Sequence, residues 1–273
     1  MDALVSPLIL QGQSPYMIFQ SHPEIPCSEK TLYNYIESGV LSVKNIDLPK
    51  KVNYKIRSSG SSEPTDKAIY EGRTYKDLQA FLKESPDTGV TEMDTVLGCE
   101  GSQKVLLTFH FSGCSFMMAY LLDSKEARHV KAVFDAIEHA IGTLSFATVF
   151  PLILTDRGGE FQTPDALECG QDHLVRTSLY YCDPMCSWQK PHCEKNHEYI
   201  RKVCPKGTSF DSYTQYDINR MMSHINSTPR QSLGGLSPMA LAKMMLPREL
   251  LDFFALTEIP ADEIILTPDL LKK

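Results

Sequence analysis

The sequence lacks any long apolar run. Its longest hydrophobic stretch, Phe116–Leu122, has seven residues, whereas a membrane-spanning helix needs about 20. The N-terminus has no basic segment leading into an apolar one, so no secretory signal is predicted. The composition, 42% hydrophobic and 22% charged, is typical of globular proteins and argues against disorder. We therefore expect a soluble, intracellular protein.

The eight cysteines include no C-x-x-C pair, which is the close spacing typical of structural zinc sites. His192, Cys193 and Cys186 are a weak candidate set of zinc ligands. Reduced thiols in a cytosolic protein are the more ordinary interpretation of all eight.

The sequence also lacks a net positive charge, since its formal charge is −7. This argues mildly against nucleic-acid binding, because affinity for phosphates comes largely from Lys and Arg. The local distribution matters more than the total. Basic residues outnumber acidic ones by eight to four in 44–76 and by six to three in 176–206, whereas acidic residues lead by six to three after Leu246.

Residues 14–39 predict two short helices joined by a tight turn. Ser14, followed by a proline, can cap the first helix, and Ser28 can cap a second one that Gly39 ends. The pair fits a helix-turn-helix whose second helix enters the major groove of DNA. A simple helical hairpin without DNA contact fits the spacing equally well. The Ser-, Gly- and Pro-rich stretch after Arg57 predicts a flexible linker.

Beyond this linker the pattern changes to β-prone apolar runs. The runs are Val90–Leu97, Lys104–Phe111, Ser115–Leu122, Phe150–Thr155 and Leu174–Cys182. Apolar residues at helical spacing follow the third run, ending near Gly142. The predicted order is three strands, a helix, a strand, a helix, a strand and a helix. This is the order of an α/β ribonuclease-H-like fold. We expect a mixed sheet flanked by helices on both faces, preceded by the small all-α segment.

Three acidic residues lie at boundaries or buried positions of these elements. Asp94 lies inside an apolar strand, where an unpaired carboxylate is unfavourable. Asp156 directly follows a strand, and ligand sites in open α/β sheets gather at the carboxyl ends of strands. Glu194 lies at the start of a helix that Pro191 can begin. Such acids suit Mg²⁺, although each one alone is more often a cap or a surface charge.

The residues around these acids carry a resemblance to a known family. The matching strings are EMDTV, LTDRGGEF, YYCDPMCSWQKPHCEKNHEYIRKVCPKGTSFD and INRMMSHINSTPRQSLGGLSPMAL. They resemble the insertion-sequence transposases of the family numbered thirty, within the retroviral-integrase superfamily. The likeness is dense from Thr74 to Met244 and looser from Ser14 to Arg57.

The resemblance implies that Asp94, Asp156 and Glu194 are the catalytic acids and hold two Mg²⁺ or Mn²⁺ ions. It also implies that Arg201 lies near the phosphate backbone; a surface pair with Glu198 or His197 is the alternative. The other predicted DNA contacts are Lys195, Lys190, Arg157, Lys50, Lys51, Lys55 and Arg57. Arg157 stands where the family usually has Asn, so it could contact phosphate or pair with Asp156 and compete with metal.

The activity implied by the resemblance is transposition in two steps. Water attacks the phosphodiester at a transposon end, and the freed 3′-hydroxyl then attacks a target strand by transesterification. The implied partners are the terminal inverted repeats, target DNA and at least one further copy of the chain. The implied location is the bacterial cytoplasm, at the nucleoid.

We expect the chain to have four parts. These are a helix-turn-helix-like segment at 1–57, a linker at 58–84, an integrase-type catalytic core at 85–245 and an acidic tail at 246–273. The family usually has a further N-terminal helix-turn-helix, so we expect a truncated N-terminus. A catalytically silent DNA-binding remnant is the main alternative to an active transposase, and a host nuclease that hydrolyses DNA without joining strands is a third.

Overall fold

The computed structural model of the protein describes residues 1–49 and 67–272, apart from the side chains of Lys67, Ser187 and Glu194. Its strands are Val90–Leu97 (β1), Val105–Phe111 (β2), Phe116–Leu122 (β3), Leu152–Thr155 (β4) and Ser178–Tyr181 (β5). The α-helices are Asp2–Leu10 (α1), Pro15–Ser21 (α2), Glu29–Glu37 (α3), Tyr75–Glu84 (α4), Ala127–Ile141 (α5), Thr143–Val149 (α6), Pro164–Glu168 (α7), Pro191–Val203 (α8), Gln215–Ser227 (α9), Pro238–Met245 (α10) and Arg248–Phe253 (α11). Within the described ranges, every helix is too short or too polar to cross a membrane.

The five strands form one mixed sheet in the order β3-β2-β1-β4-β5. The pairs β3/β2 and β2/β1 are antiparallel, whereas β1/β4 and β4/β5 are parallel. This order and these directions are those of the ribonuclease-H-like fold, which confirms the predicted fold class. The sheet is covered on both faces, so β2 is buried along its whole length.

Neighbouring residues of β2 show which helices cover which face. The Phe109 ring packs against Phe134 of α5, with 5.8 Å between ring centres. Thr108 instead hydrogen-bonds His197 of α8 at 3.0 Å. Because successive side chains of a strand point to opposite faces, α5 and α8 lie on opposite sides of the sheet.

The N-terminal segment contains the two predicted helices, α2 and α3, and the additional helix α1. The Ser14 hydroxyl accepts a hydrogen bond from the Met17 amide, and the Ser28 hydroxyl accepts one from the Thr31 amide. Both serines are therefore the N-caps that the sequence predicts. The helices share a small apolar core of their own. A major-groove contact of α3 stays a prediction.

Parts of the predicted linker and tail are ordered and packed against the core. In the linker range, α4 has a Thr74–Asp77 capping box and buries Leu78 beside β4 and β5. In the tail range, Leu250 and Phe254 join the main hydrophobic core. Composition alone predicts a flexible linker and an acidic tail, but apolar residues at helical spacing decide the structure of these parts. The domain boundaries themselves stay predictions.

Candidate active site

Asp94 and Asp156 lie side by side because of the parallel register of β1 and β4. Glu92 of β1 pairs with Leu154 of β4. The two aspartates each lie two residues further along the chain, so they are neighbours across the two strands. The side chain of Lys190 bridges them. Its Nζ lies 3.3 Å from Asp94 Oδ2 and 3.9 Å from Asp156 Oδ2. The structure therefore brings two of the three predicted catalytic acids together.

Lys190 is a buried cation, with only 4% of its surface exposed. Its ammonium also donates to the Met93 carbonyl oxygen at 3.3 Å. Burial acts to lower the pKa of Lys190, but the carboxylates of Asp94 and Asp156 outweigh it and the pKa is raised. The side chain thus keeps its charge between the two acids. Its predicted contact with DNA stays a prediction.

The two carboxylates form a donor set that fits a hard divalent cation. Asp94 Oδ1 accepts a hydrogen bond from the Thr95 amide at 2.8 Å, and Asp156 Oδ1 accepts one from the Gly158 amide at 2.9 Å. The Oδ2 atom of each residue faces the Lys190 ammonium. Oxygen donors from two carboxylates around one cation are the ligand type that Mg²⁺ and Mn²⁺ prefer. The Asp156 side chain is 50% exposed, so solvent reaches this position.

Glu194, the third predicted acid, has its backbone in α8, and its side chain lies outside the described residues. Helix α8 packs on β1 and β2, so its first turns lie next to the strand that carries Asp94. The placement of the Glu194 carboxylate in the site stays a prediction.

A buried polar layer joins α8 to the sheet beneath it. Glu92 Oε2 accepts the Cys193 amide hydrogen at 2.6 Å, and burial raises the pKa of Glu92. Cys193 Sγ lies 3.5 Å from His197 Nε2. The sequence predicts none of these contacts, although Glu92 and Asp94, two residues apart on a strand, must share a face.

Glu160, another acid that the sequence reasoning missed, secures the loop after Asp156. It is buried, accepts the Thr95 hydroxyl hydrogen at 2.7 Å and lies 3.3 Å from Lys125 Nζ. A Cβ atom at Gly158 would come within 2.5 Å of Glu160 Oε2. With a larger residue at position 158, this carboxylate would have to shift from its present position against β1.

Comparison with known proteins identifies the family. No protein-family model matches the chain. A transposase for the insertion sequence element IS1086 of Cupriavidus metallidurans is 32% identical over 235 residues, which are 84% of this chain and 66% of that protein. A probable transposase for the element IS1161 of Streptococcus salivarius is 28% identical over 211 residues, which are 76% of this chain and 56% of that protein.

The chain belongs to this insertion-sequence transposase family. The resemblance found in the strings around the three acids is thus confirmed. The chain spans between 56% and 66% of the length of these two transposases. A solved HTLV-2 integrase catalytic core with magnesium is 12% identical and covers 56% of this chain and 95% of its own, with a TM-score of 0.39. The fold follows from strand order and direction, not from this score.

Arg157, the residue that departs from the usual transposase string, is engaged by three groups other than Asp156. Its Nε donates to the Cys182 carbonyl oxygen at 3.0 Å, and its Nη2 lies 3.7 Å from Asp183 Oδ1. Its guanidinium lies 4.3 Å from the centre of the Tyr70 ring. None of these contacts is with Asp156, whose pairing with Arg157 would compete with a metal ion. A phosphate contact of Arg157 stays a prediction.

The basic residues predicted on α8 differ in exposure. Arg201 is half-buried, and its Nη2 donates to the Leu97 carbonyl oxygen at 2.8 Å. Burial lowers the pKa of Arg201. Lys195 is exposed and lines a cavity of about 700 Å³ between the N-terminal helices and α8, together with Lys202 and Arg230. The four basic residues Lys50, Lys51, Lys55 and Arg57 lie outside the described residues.

Proposed function

We propose that the chain cuts transposon ends and joins the resulting 3′-hydroxyl to target DNA by phosphodiester transesterification. The observation that carries this proposal is the meeting of two carboxylates, that of Asp94 in β1 and that of Asp156 directly after the adjacent parallel strand β4. Membership of a transposase family supports the same reaction class. Oxygen ligands at the ends of parallel strands are suited to metal-assisted phosphoryl transfer.

In this proposal Asp94, Asp156 and Glu194 hold two Mg²⁺ or Mn²⁺ ions. When bound, such ions activate an attacking oxygen and stabilise the leaving one. The Thr95 and Gly158 amides fix one oxygen of each aspartate, so the other oxygen is already oriented for a cation. This preorganisation lowers the entropy lost when the site assembles.

DNA would lie along α8 and the N-terminal helices. The cavity between them is lined by Lys195, Lys202 and Arg230 and by the aromatic rings of Tyr16 and Tyr33. Basic groups hold phosphates, and aromatic faces can stack on bases. We further propose that two copies act on paired transposon ends, as the resemblance implies.

A catalytically silent DNA-binding remnant is the second candidate, and Lys190 is the observation that favours it. The ammonium already neutralises both carboxylates, so a divalent ion must displace it before the site can work. Arg157, which would compete with metal if it paired with Asp156, is instead engaged by Cys182 and Asp183.

Strand transfer on the element's own inverted-repeat ends separates the two candidates. We expect Mg²⁺- or Mn²⁺-dependent joined products from the wild type and none from Asp94→Asn, Asp156→Asn or Glu194→Gln. DNA binding by the three variants should stay close to that of the wild type. Glu249→Gln, at an exposed position of α11, is the matched control and should keep full activity. Wild-type activity in any triad variant would contradict the proposal, and binding without joining by the wild type would support the silent remnant.

Neutralising Lys50, Lys51, Lys55 and Arg57 together tests the proposed DNA path. Each phosphate contact contributes about 0.9 to the slope of log affinity against log salt concentration. We expect the fourfold glutamine variant to bind DNA more weakly and with a flatter slope. A slope equal to that of the wild type would remove these residues from the interface.

A further inference from the structure

One cluster beside the paired aspartates has a different ligand chemistry from theirs. A carboxylate oxygen of Asp94, the Cys193 thiol and a ring nitrogen of His197 lie within 4.8 Å of one another. Thiolate and imidazole are soft ligands that select zinc-class ions, whereas Mg²⁺ prefers an all-oxygen set. We propose that Asp94, Cys193 and His197 form a binding site for a zinc-class divalent cation.

The distance between the two soft ligands fits tetrahedral zinc. Zn–S and Zn–N bonds of about 2.3 and 2.05 Å at a tetrahedral angle place sulfur and nitrogen about 3.6 Å apart. Cys193 Sγ and His197 Nε2 are 3.5 Å apart. Little movement of either side chain is therefore needed to admit the ion between them.

Secondary structure fixes the three ligands relative to one another. Cys193 and His197 are four residues apart on α8, so they share the face that packs on the sheet. Asp94 reaches the cluster from β1. Thr108 of β2 hydrogen-bonds His197 Nε2 at 3.0 Å, and this bond is given up when the ion takes the lone pair of that nitrogen. The two ligands on α8 and the Asp94 carboxylate give three protein ligands. Water would supply the fourth ligand, as in zinc sites with an open coordination position.

Burial gives the cluster a closed side and an open side. Cys193 is fully buried, whereas Asp94 and His197 are partly exposed. An ion would enter past the two exposed ligands and take the place of the thiol proton, which passes to the solvent. Because a carboxylate oxygen of Asp94 would serve the zinc-class ion, that ion would compete with a hard cation at Asp94 and Asp156; this consequence rests on the proposed function.

Cobalt(II) is the probe for the site, added to the full chain after metal removal. We expect an absorption band from thiolate-to-cobalt charge transfer, with tetrahedral d–d bands, and its one-for-one loss on adding Zn²⁺. Cys193→Ser should abolish the thiolate band, and His197→Gln should weaken cobalt binding at least about tenfold. Cys182→Ser removes another buried thiol and His139→Gln an exposed imidazole; both controls should leave the spectrum unchanged.

Three outcomes overturn the site. The wild type shows no thiolate band, the band survives in Cys193→Ser, or His197→Gln binds cobalt as tightly as the wild type. The first and third remain decisive if Cys193→Ser does not fold. None of these measurements requires DNA or catalysis, so a protein that joins no strands still gives a clear answer.

Competition with Mn²⁺, followed by electron paramagnetic resonance, tests whether the two ions share Asp94. One equivalent of Zn²⁺ should release bound Mn²⁺ from the wild type but not from Cys193→Ser. Simultaneous binding of both ions by the wild type would overturn the sharing of Asp94. A wild type that binds no Mn²⁺ at all would contradict the proposed function, and the cobalt spectrum would still decide the zinc-class site.

Discussion

Lys190→Gln removes the ammonium that lies 3.3 Å from Asp94 and 3.9 Å from Asp156. Deleting one partner of a fully buried ion pair destabilises a protein by about 3–5 kcal/mol. Water reaches these partners in part, since the side chains of Asp94 and Asp156 are 19% and 50% exposed. We therefore expect a smaller loss of about 2 kcal/mol in EDTA. For a chain of this size, that corresponds to a melting temperature lower by about 4–8 °C.

Divalent metal should reverse this loss more strongly in the variant than in the wild type. In the wild type, an ion between the two carboxylates must displace the Lys190 ammonium, whereas glutamine offers no competing charge. A tenfold gain in Mn²⁺ affinity adds about 1.4 kcal/mol of stabilisation at the same saturating Mn²⁺ concentration. The measurement is a thermal melt followed by circular dichroism, in EDTA and in Mn²⁺, for both proteins.

Lys243→Gln is the matched control for Lys190→Gln. Lys243 pairs with Glu258 at 2.6 Å, but both side chains are about half exposed, so the pair contributes less than about 1 kcal/mol. This variant should melt close to the wild type and respond equally to Mn²⁺. An equal metal-induced shift in Lys190→Gln and the wild type would refute the reasoning, because the ammonium and the metal would then not occupy the same place.

Two further predictions concern stability. Arg176 is fully buried and its guanidinium lies 2.9 Å from Asp135 and 2.8 Å from Glu138, so Arg176→Met should lower the free energy of unfolding in urea by about 3–5 kcal/mol; a loss below about 1 kcal/mol would contradict this. His224 accepts the Ile265 amide hydrogen through Nδ1, and burial lowers the pKa of His224 to about 4. Because the unfolded chain then binds more protons than the folded protein, the free energy of unfolding should fall as the pH is lowered. The loss should reach up to about 1.4 kcal/mol per pH unit between about pH 6.5 and 4. In urea titrations at several pH values, His224→Asn should flatten the dependence of the free energy of unfolding on pH. Parallel curves of stability against pH for the two proteins would count against this prediction.

The sequence pattern predicts the sheet well because each strand is an apolar run bounded by turn residues. The first predicted run coincides with β1, and the second and third differ from β2 and β3 by one residue each. The last run, 174–182, is too long, because β5 covers only Ser178–Tyr181. Before it, the buried Arg176 donates to the Leu167 carbonyl oxygen, a tertiary contact that no local pattern reveals.

The sequence also finds Asp94 and Asp156 but not the residues that surround them. The sequence analysis predicts Lys190 as a DNA contact, which stays a prediction. Lysine is seldom buried without a partner, so the position of Lys190 between the aspartates becomes visible only in the fold. Cys193 and His197 are similar: their helical spacing is visible, but their closeness to Asp94 depends on how α8 packs on the sheet. Contacts between distant elements are set by packing, which periodicity does not describe.

The same packing has a consequence for the third acid. Glu194 directly follows Cys193, whose amide is held by Glu92 of β1, and His197 one turn later is held by Thr108 of β2. The first of these bonds is buried and the second is partly buried. Together they hold α8 over the strands, because hydrogen bonds of buried groups are costly to break. The backbone position of Glu194 is therefore determined by its neighbours. Substitutions at Glu92 or Thr108 should therefore lower the proposed strand-transfer activity without removing Asp94, Asp156 or Glu194.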